Sequence, residues 1–147
     1  MKLTTRTRYG TRMMVELAKH YEHGPLRLNE IAKRQSLPIK YLEQIVMPLK
    51  DAGLIKSVRG VRGGHMLGRA PDKISVYEIM KVLEGDTIVP CSAGNPECDR
   101  APYCETKVLW QRINQRIVEE LKNTTLAELI GLGHGHSKKA IKDMEEE

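Results

Sequence analysis

Cys91, Cys98 and Cys104 stand close together, and the rest of the sequence has no cysteine. They lie in the run Cys91-Ser-Ala-Gly-Asn-Pro-Glu-Cys98-Asp-Arg-Ala-Pro-Tyr-Cys104. Thiolates are soft donors, and three of them on one segment suit zinc, an iron–sulfur cluster or thiol redox chemistry. Structural zinc takes four protein ligands, commonly in narrow Cys-x₂₋₄-Cys knuckles, whereas the gaps here are six and five residues. A cluster spreads its ligands further and tolerates a labile fourth position. The start, Met1-Lys2-Leu3-Thr4-Thr5-Arg6, lacks the apolar region of a secretory signal. The expectation is a cytoplasmic protein with reduced thiols, and an odd cysteine count agrees with that.

The second chemistry-bearing set is basic. The net charge of +5 is unevenly spread. Residues 1–70 hold fourteen Lys/Arg against five Asp/Glu, net +9; residues 71–147 hold ten against fourteen, net −4. One basic half fits a module that meets polyphosphate with one end only. With no Phe, one Trp and five Tyr, no stacking platform for single strands is evident, so the duplex is the expected form. No apolar run approaches the ~20 residues of a membrane span. No nucleotide fingerprint, phosphate loop or Ser/His/Asp set is visible, so an enzyme is not expected.

The elements that must position these groups follow from periodicity. After Thr4 and Thr5, the positions Gly10, Met13, Met14, Leu17, Ala18 and Tyr21 form one face of a helix that Gly24-Pro25 ends. Leu28 to Gln35 is a short helix with Ile31 and Ala32 inward, and Ser36-Leu37-Pro38 is a turn. Residues 39–52 form the next helix, with Leu42, Ile45, Val46 and Leu49 inward, Gly53 as its stop and Pro48 as a local disruption. Leu54–Val58 and His65–Gly68 are strands joined by a glycine-rich basic tip. Ser75 caps a helix that Gly85 ends, and Pro90, Gly94, Pro96 and Pro102 make residues 86–104 a loop. A long helix is expected from Glu105 to Asn123, with Leu109, Ile113, Ile117 and Leu121 as an apolar stripe suited to a dimer seam or to packing on its own domain. Residues 124–130 give a last short helix.

Helix, short helix, turn, longer helix and basic hairpin is the order of a winged helix-turn-helix, whose second helix enters the major groove. Its outward residues are Lys40, Tyr41, Glu43 and Gln44. Gln can bond adenine bidentately and Glu can accept from cytosine N4, whereas Lys40 and the Tyr41 hydroxyl suit phosphates. Arg59 and Arg62 on the wing tip suit a narrow minor groove.

Tyr41-Leu42-Glu43-Gln44, Gly53-Leu54, Val58-Arg59-Gly60 with Gly63-Gly64 behind it, and Leu67-Gly68 resemble the IscR-type winged-helix regulators, over about residues 2–130. The resemblance implies a homodimer whose long helices pair across the two-fold axis. It implies an iron–sulfur cluster on Cys91, Cys98 and Cys104, and DNA reading by Glu43, Gln44 and Arg59. Two positions depart from the pattern. Lys107 stands where some members place a histidine ligand, and Arg8 stands near where others supply an acidic one from the partner chain. A protonated amine cannot donate to iron. The fourth ligand is expected from Glu105 first, then Glu97, Asp99 or a non-protein ligand, with His134 and His136 as remote candidates.

The reading is therefore a mainly α fold with a small β-hairpin wing, a winged helix-turn-helix domain plus a long dimerisation helix. Residues 1–85 form the DNA-binding domain, 86–104 the cluster loop, 105–130 the dimerisation and terminal helices, and 131–147 a flexible tail. The expected activity is regulation of transcription through an operator in double-stranded DNA. The cofactor is [2Fe–2S] first and [4Fe–4S] second, with control of cluster biogenesis or a related redox, iron or sulfur response. The alternative is a cluster-free or zinc-bound repressor controlled by a partner protein or a small thiol metabolite.

Overall fold

The computed structural model describes residues 3–86, 88–92 and 98–131. Among these, five longer α-helices and one hairpin follow in the order α1 (Thr5–Lys19), α2 (Leu28–Gln35), α3 (Ile39–Asp51), β1 (Ile55–Val58), β2 (Gly64–Leu67), α4 (Val76–Glu84) and α5 (Lys107–Asn123). No helix of the described residues is long and apolar enough to cross a membrane.

The core is aliphatic. Met13, Met14 and Leu17 of α1, Ile31 of α2, Leu42, Ile45 and Leu49 of α3 and Ile79 of α4 pack together with the base of the hairpin. Removing one such side chain from water contributes about 1.5–3 kcal/mol. Helices α1 and α4 approach closely at Gly10, where an added Cβ would collide with the Leu83 side chain. The helix-turn-helix corner is made by Ser36, left-handed at φ 53°, which closes α2. Leu37 is buried behind the corner, and Pro38 then supplies the N-cap of α3.

The hairpin is antiparallel, in register Ile55↔Leu67 through Val58↔Gly64. A third segment joins it: Leu26 and His65 exchange backbone hydrogen bonds of 2.8 Å each way. Gly64 has to be glycine there, because at φ +156° an added Cβ would lie 2.7 Å from the Leu26 carbonyl oxygen. On α4, Ser75 accepts from the Glu78 N–H while the Glu78 carboxylate accepts from the Ser75 N–H, a capping box.

Helices α1 and α5 depart from the boundaries read in the sequence. Helix α1 stops at Lys19 rather than at Gly24-Pro25, because residues 20–23 turn back through 3.0–3.2 Å backbone bonds. Helix α5 starts at Lys107, two residues late, because Glu105 and Thr106 are spent in a turn and Thr106 is its N-cap. The segment after α5 is part of the core. Val76 N–H donates to the Thr124 carbonyl (2.9 Å), Leu126 N–H donates to that of Ile74 (3.0 Å), and Leu126 is fully buried. No residue of α5 itself is buried in the single chain, and Val108, Leu109 and Trp110 are exposed.

Candidate DNA interface and thiol pocket

Helix α3 turns Leu42, Ile45, Val46 and Leu49 into the core, which leaves Lys40, Glu43 and Gln44 exposed on the opposite face. Tyr41 differs from its sequence neighbours. It is half-buried, and its ring meets that of Tyr9 edge-on at 5.4 Å between centroids. The Tyr41 side chain thus belongs to the α1–α3 seam as well as to the border of the exposed face of α3.

Arg59 and Arg62 are exposed on the wing between β1 and β2, with Val61 the most exposed large apolar residue described, at 87 %. The tip does not hang free. The Arg27 guanidinium, at the entry to α2, donates to the Val61 carbonyl. One pair in from the tip end of the ladder, Ser57 Oγ and His65 Nδ1 are 2.9 Å apart. Burial, reinforced by the Lys50 ammonium, holds the His65 imidazole below its usual range.

The second site lies between the end of the cysteine loop and α5. Cys91, Cys98 and Cys104 line one pocket of about 120 Å³ together with Pro90, Ala101 and Lys107. That is well below the ~300–1,000 Å³ typical of sites for organic ligands. A short 3₁₀ turn, Pro90–Ser92, carries Cys91 and packs against α5. The backbone N–H groups of Ile88 and Val89 both donate to Asn114 Oδ1 of α5, at 3.1 Å each. Cys98 follows in a turn closed by Ala101 N–H on the Cys98 carbonyl, 3.0 Å. Cys104 sits just before α5, with Sγ 3.3 Å from the Thr106 hydroxyl. That hydroxyl first, then the Thr106 backbone N–H, and more weakly the Lys107 N–H and the Arg100 charge, lower the Cys104 thiol from its usual range against an opposing effect of burial. Helix-start donors favour a thiolate in this way.

Among the described residues, no group of three or more His, Cys, Asp and Glu side chains is arranged as a metal site. Lys107 lines this pocket. Glu105 does not line it; it faces an adjoining depression with Arg100, Cys104 and Thr106. Asp99 is exposed and outside the pocket lining, and Arg8 is exposed on α1. Glu97, His134 and His136 lie outside the described residues. Arg27, Thr106 and Asn114 were not singled out in the sequence. Thr106 was findable as a hydroxyl before a helix, but Arg27 and Asn114 act over 34 and over 25–26 positions respectively, where local patterns carry no signal.

An exposed second helix after a tight corner, followed by a basic hairpin, defines a winged helix-turn-helix regulator. The match to known proteins is correspondingly specific: residues 3–131 fit the Rrf2 family, described as an iron-dependent transcriptional regulator, and the chain belongs to that family. It is 42 % identical to the HTH-type transcriptional regulator CymR of Bacillus subtilis, over 94 % of this chain and 96 % of that one. It is 38 % identical to the HTH-type transcriptional regulator IscR of Erwinia tasmaniensis, over 88 % and 79 %. The solved structure of T. potens IscR superposes with a TM-score of 0.76 at 38 % identity, covering 90 % of this chain and 88 % of that one. These relatives are regulators, and the protein is a transcriptional regulator rather than an enzyme.

Proposed function

We propose that the protein is a cytoplasmic, homodimeric regulator whose operator binding is set by an iron–sulfur cluster on Cys91, Cys98 and Cys104. The observation that carries this reading is the single small pocket that all three cysteines line. The family description as iron-dependent supports it. When bound, the cluster supplies a redox-active and oxygen-labile centre.

The rest is the work of the chain's own residues. Three thiolates bring negative charge to the pocket, and the Lys107 ammonium on its rim offsets part of it. On the DNA side, Gln44 and Glu43 face base edges, Lys40 meets phosphate, and Arg59 and Arg62 follow the minor groove. Two chains joined along the exposed α5 residues Val108, Leu109 and Trp110 present two α3 helices. Their half-sites then lie one helical turn, ~34 Å, or a multiple apart. A sensor of this kind suits control of cluster biogenesis or of a related redox, iron or sulfur response, with [2Fe–2S] the first cluster type and [4Fe–4S] the second.

A second reading is favoured by the lowered Cys104 thiol and by the likeness to CymR. It is a cluster-free or zinc-bound repressor controlled by a partner protein or a small thiol metabolite. Strictly anaerobic purification separates the two. Brown protein with iron and acid-labile sulfide, and duplex binding that changes when the cluster is removed, supports the first. Stoichiometric zinc, or no metal at all, replaces it with the second.

A further inference from the structure

One carboxamide holds the approach to Cys91. Asn114 lies half-buried on α5, and its Oδ1 accepts from two consecutive backbone N–H groups, Ile88 and Val89. Val89 is buried. The two N–H groups lie outside any helix or strand, and a buried backbone donor left without a partner costs about 1–3 kcal/mol. Both donors meet the same oxygen, which uses its two lone pairs and fixes the direction of the chain as it arrives at Pro90. Pro90 then locks one backbone angle, and the 3₁₀ turn Pro90–Ser92 delivers Cys91 to the pocket that Cys98 and Cys104 line. Cys104 reaches that pocket from the start of the same α5. Two of the three thiols are therefore referenced to one helix, Cys104 by covalent continuity and Cys91 through Asn114.

We infer that Asn114 is the positioning residue for Cys91, and that through it the placement of Cys91 in the three-thiol pocket is tied to α5. The inference rests on the reading of this pocket as the metal or cluster site. It adds that a side chain outside the pocket sets its affinity. The oxygen is what matters. Aspartate keeps an acceptor in the same place and accepts from both N–H groups, whereas alanine removes it. Outer residues that orient ligands typically change metal affinity by about 10–100-fold when lost.

The test uses the full-length, metal-free protein and cadmium alone as probe, read by thiolate-to-cadmium charge-transfer absorption. Cadmium is a soft ion that seeks thiolates, so the outcome does not depend on whether iron and sulfide assemble. Asn114→Ala is expected to weaken cadmium binding about tenfold or more and to speed hydrogen exchange at the Ile88 and Val89 amides. Asn114→Asp is expected to restore both. A purely structural role would lower the melting temperature without this pattern of loss and rescue. Cadmium affinity and amide exchange in Asn114→Ala equal to those of the native protein would overturn the inference, as would failure of Asn114→Asp to restore either. Should Asn114→Ala not fold, Asn114→Gln displaces the same oxygen by one methylene and carries the same two readouts. Failure of the cluster reading itself shows separately, as absence of iron and sulfide from the native protein.

Discussion

Arg27 donates from its guanidinium to the backbone carbonyl of Val61, tying the entry of the helix-turn-helix to the tip of the wing. The start of α2 and the tip of the hairpin are thereby linked across the fold. Because the contact is exposed, its worth lies near the low end for a charged donor, about 1 kcal/mol. Arg27→Ala should weaken operator binding several-fold and speed hydrogen exchange in residues 59–63. Arg27→Lys should retain the charge but restore only part of the loss, because an ammonium lacks the planar fork. Gel-shift affinities beside exchange rates check this; equal affinity in all three proteins refutes it.

Sequence preference should reside in Gln44 and Glu43. Gln44→Ala is expected to cost about 1–3 kcal/mol on the best operator and to relax choice at one base pair. Lys40→Ala and Arg62→Ala should weaken operator and random duplex alike and flatten the salt dependence. Arg59→Ala should hurt most where the flank is A·T-rich. Affinities on matched operator and scrambled duplexes decide the matter. Uniform loss for Gln44→Ala would mean that the base-reading residues lie elsewhere.

Leu126 and Leu109 should behave in opposite ways. Leu126 is fully buried against the core, so Leu126→Ala should lower stability by about 2–5 kcal/mol in denaturant titrations. Leu109 is 49 % exposed in the single chain. Leu109→Ala should leave the denaturation midpoint of the monomer nearly unchanged while raising the dimer dissociation constant in sedimentation. A monomeric native protein at micromolar concentration would rule out the dimer.

His65 should make the wing sensitive to acid. Its folded-state pKa lies below 6.5, first through burial and then through Lys50. The unfolded chain therefore takes up the proton first, and stability present above pH 6.5 is lost as pH falls toward the folded-state value. His65→Asn should flatten the fall in melting temperature below pH 6.5. A native and a variant curve of the same shape would assign the acid sensitivity to other groups.

The proposed cluster site offers a chemical repair. Lys107 lines the thiol pocket and Glu105 does not. Lys107→His supplies an imidazole at that place and should slow loss of the visible chromophore in air. Glu105→Ala, aimed at the first fourth-ligand candidate, should speed that loss only if the carboxylate reaches the iron. Decay followed by absorbance after exposure to oxygen separates these outcomes.

Much of the fold was legible because its signals are local. Ile31 and Ala32 inward on α2, the Ser75–Glu78 capping box and the glycine stops at Gly53 and Gly85 each depend on neighbours within about one helical turn. The exposed face of Lys40, Glu43 and Gln44 followed from the same periodicity, since the buried partners Leu42, Ile45 and Val46 leave only one side for solvent. The three cysteines needed no geometry at all to be noticed.

Contacts between distant segments decided the rest. Periodicity placed Tyr41 on the outer face, but only the approach of α1 brought Tyr9 against its ring. Nothing local separates Leu126 from the apolar residues of α5; the pairing of residues 124–126 with 74–76 is what buries it. The start of α5 moved to Lys107 because the turn before it spends Glu105 and Thr106. Asn114 carries no signal in its own neighbourhood, because its two partners, Ile88 and Val89, lie 26 and 25 positions away. Residue type and spacing can say which groups are able to do chemistry and which face of an element they share, because both are set within one turn of chain. Which of those faces meet, and which oxygen satisfies which buried N–H, depends on the closed packing of segments that the chain order keeps apart.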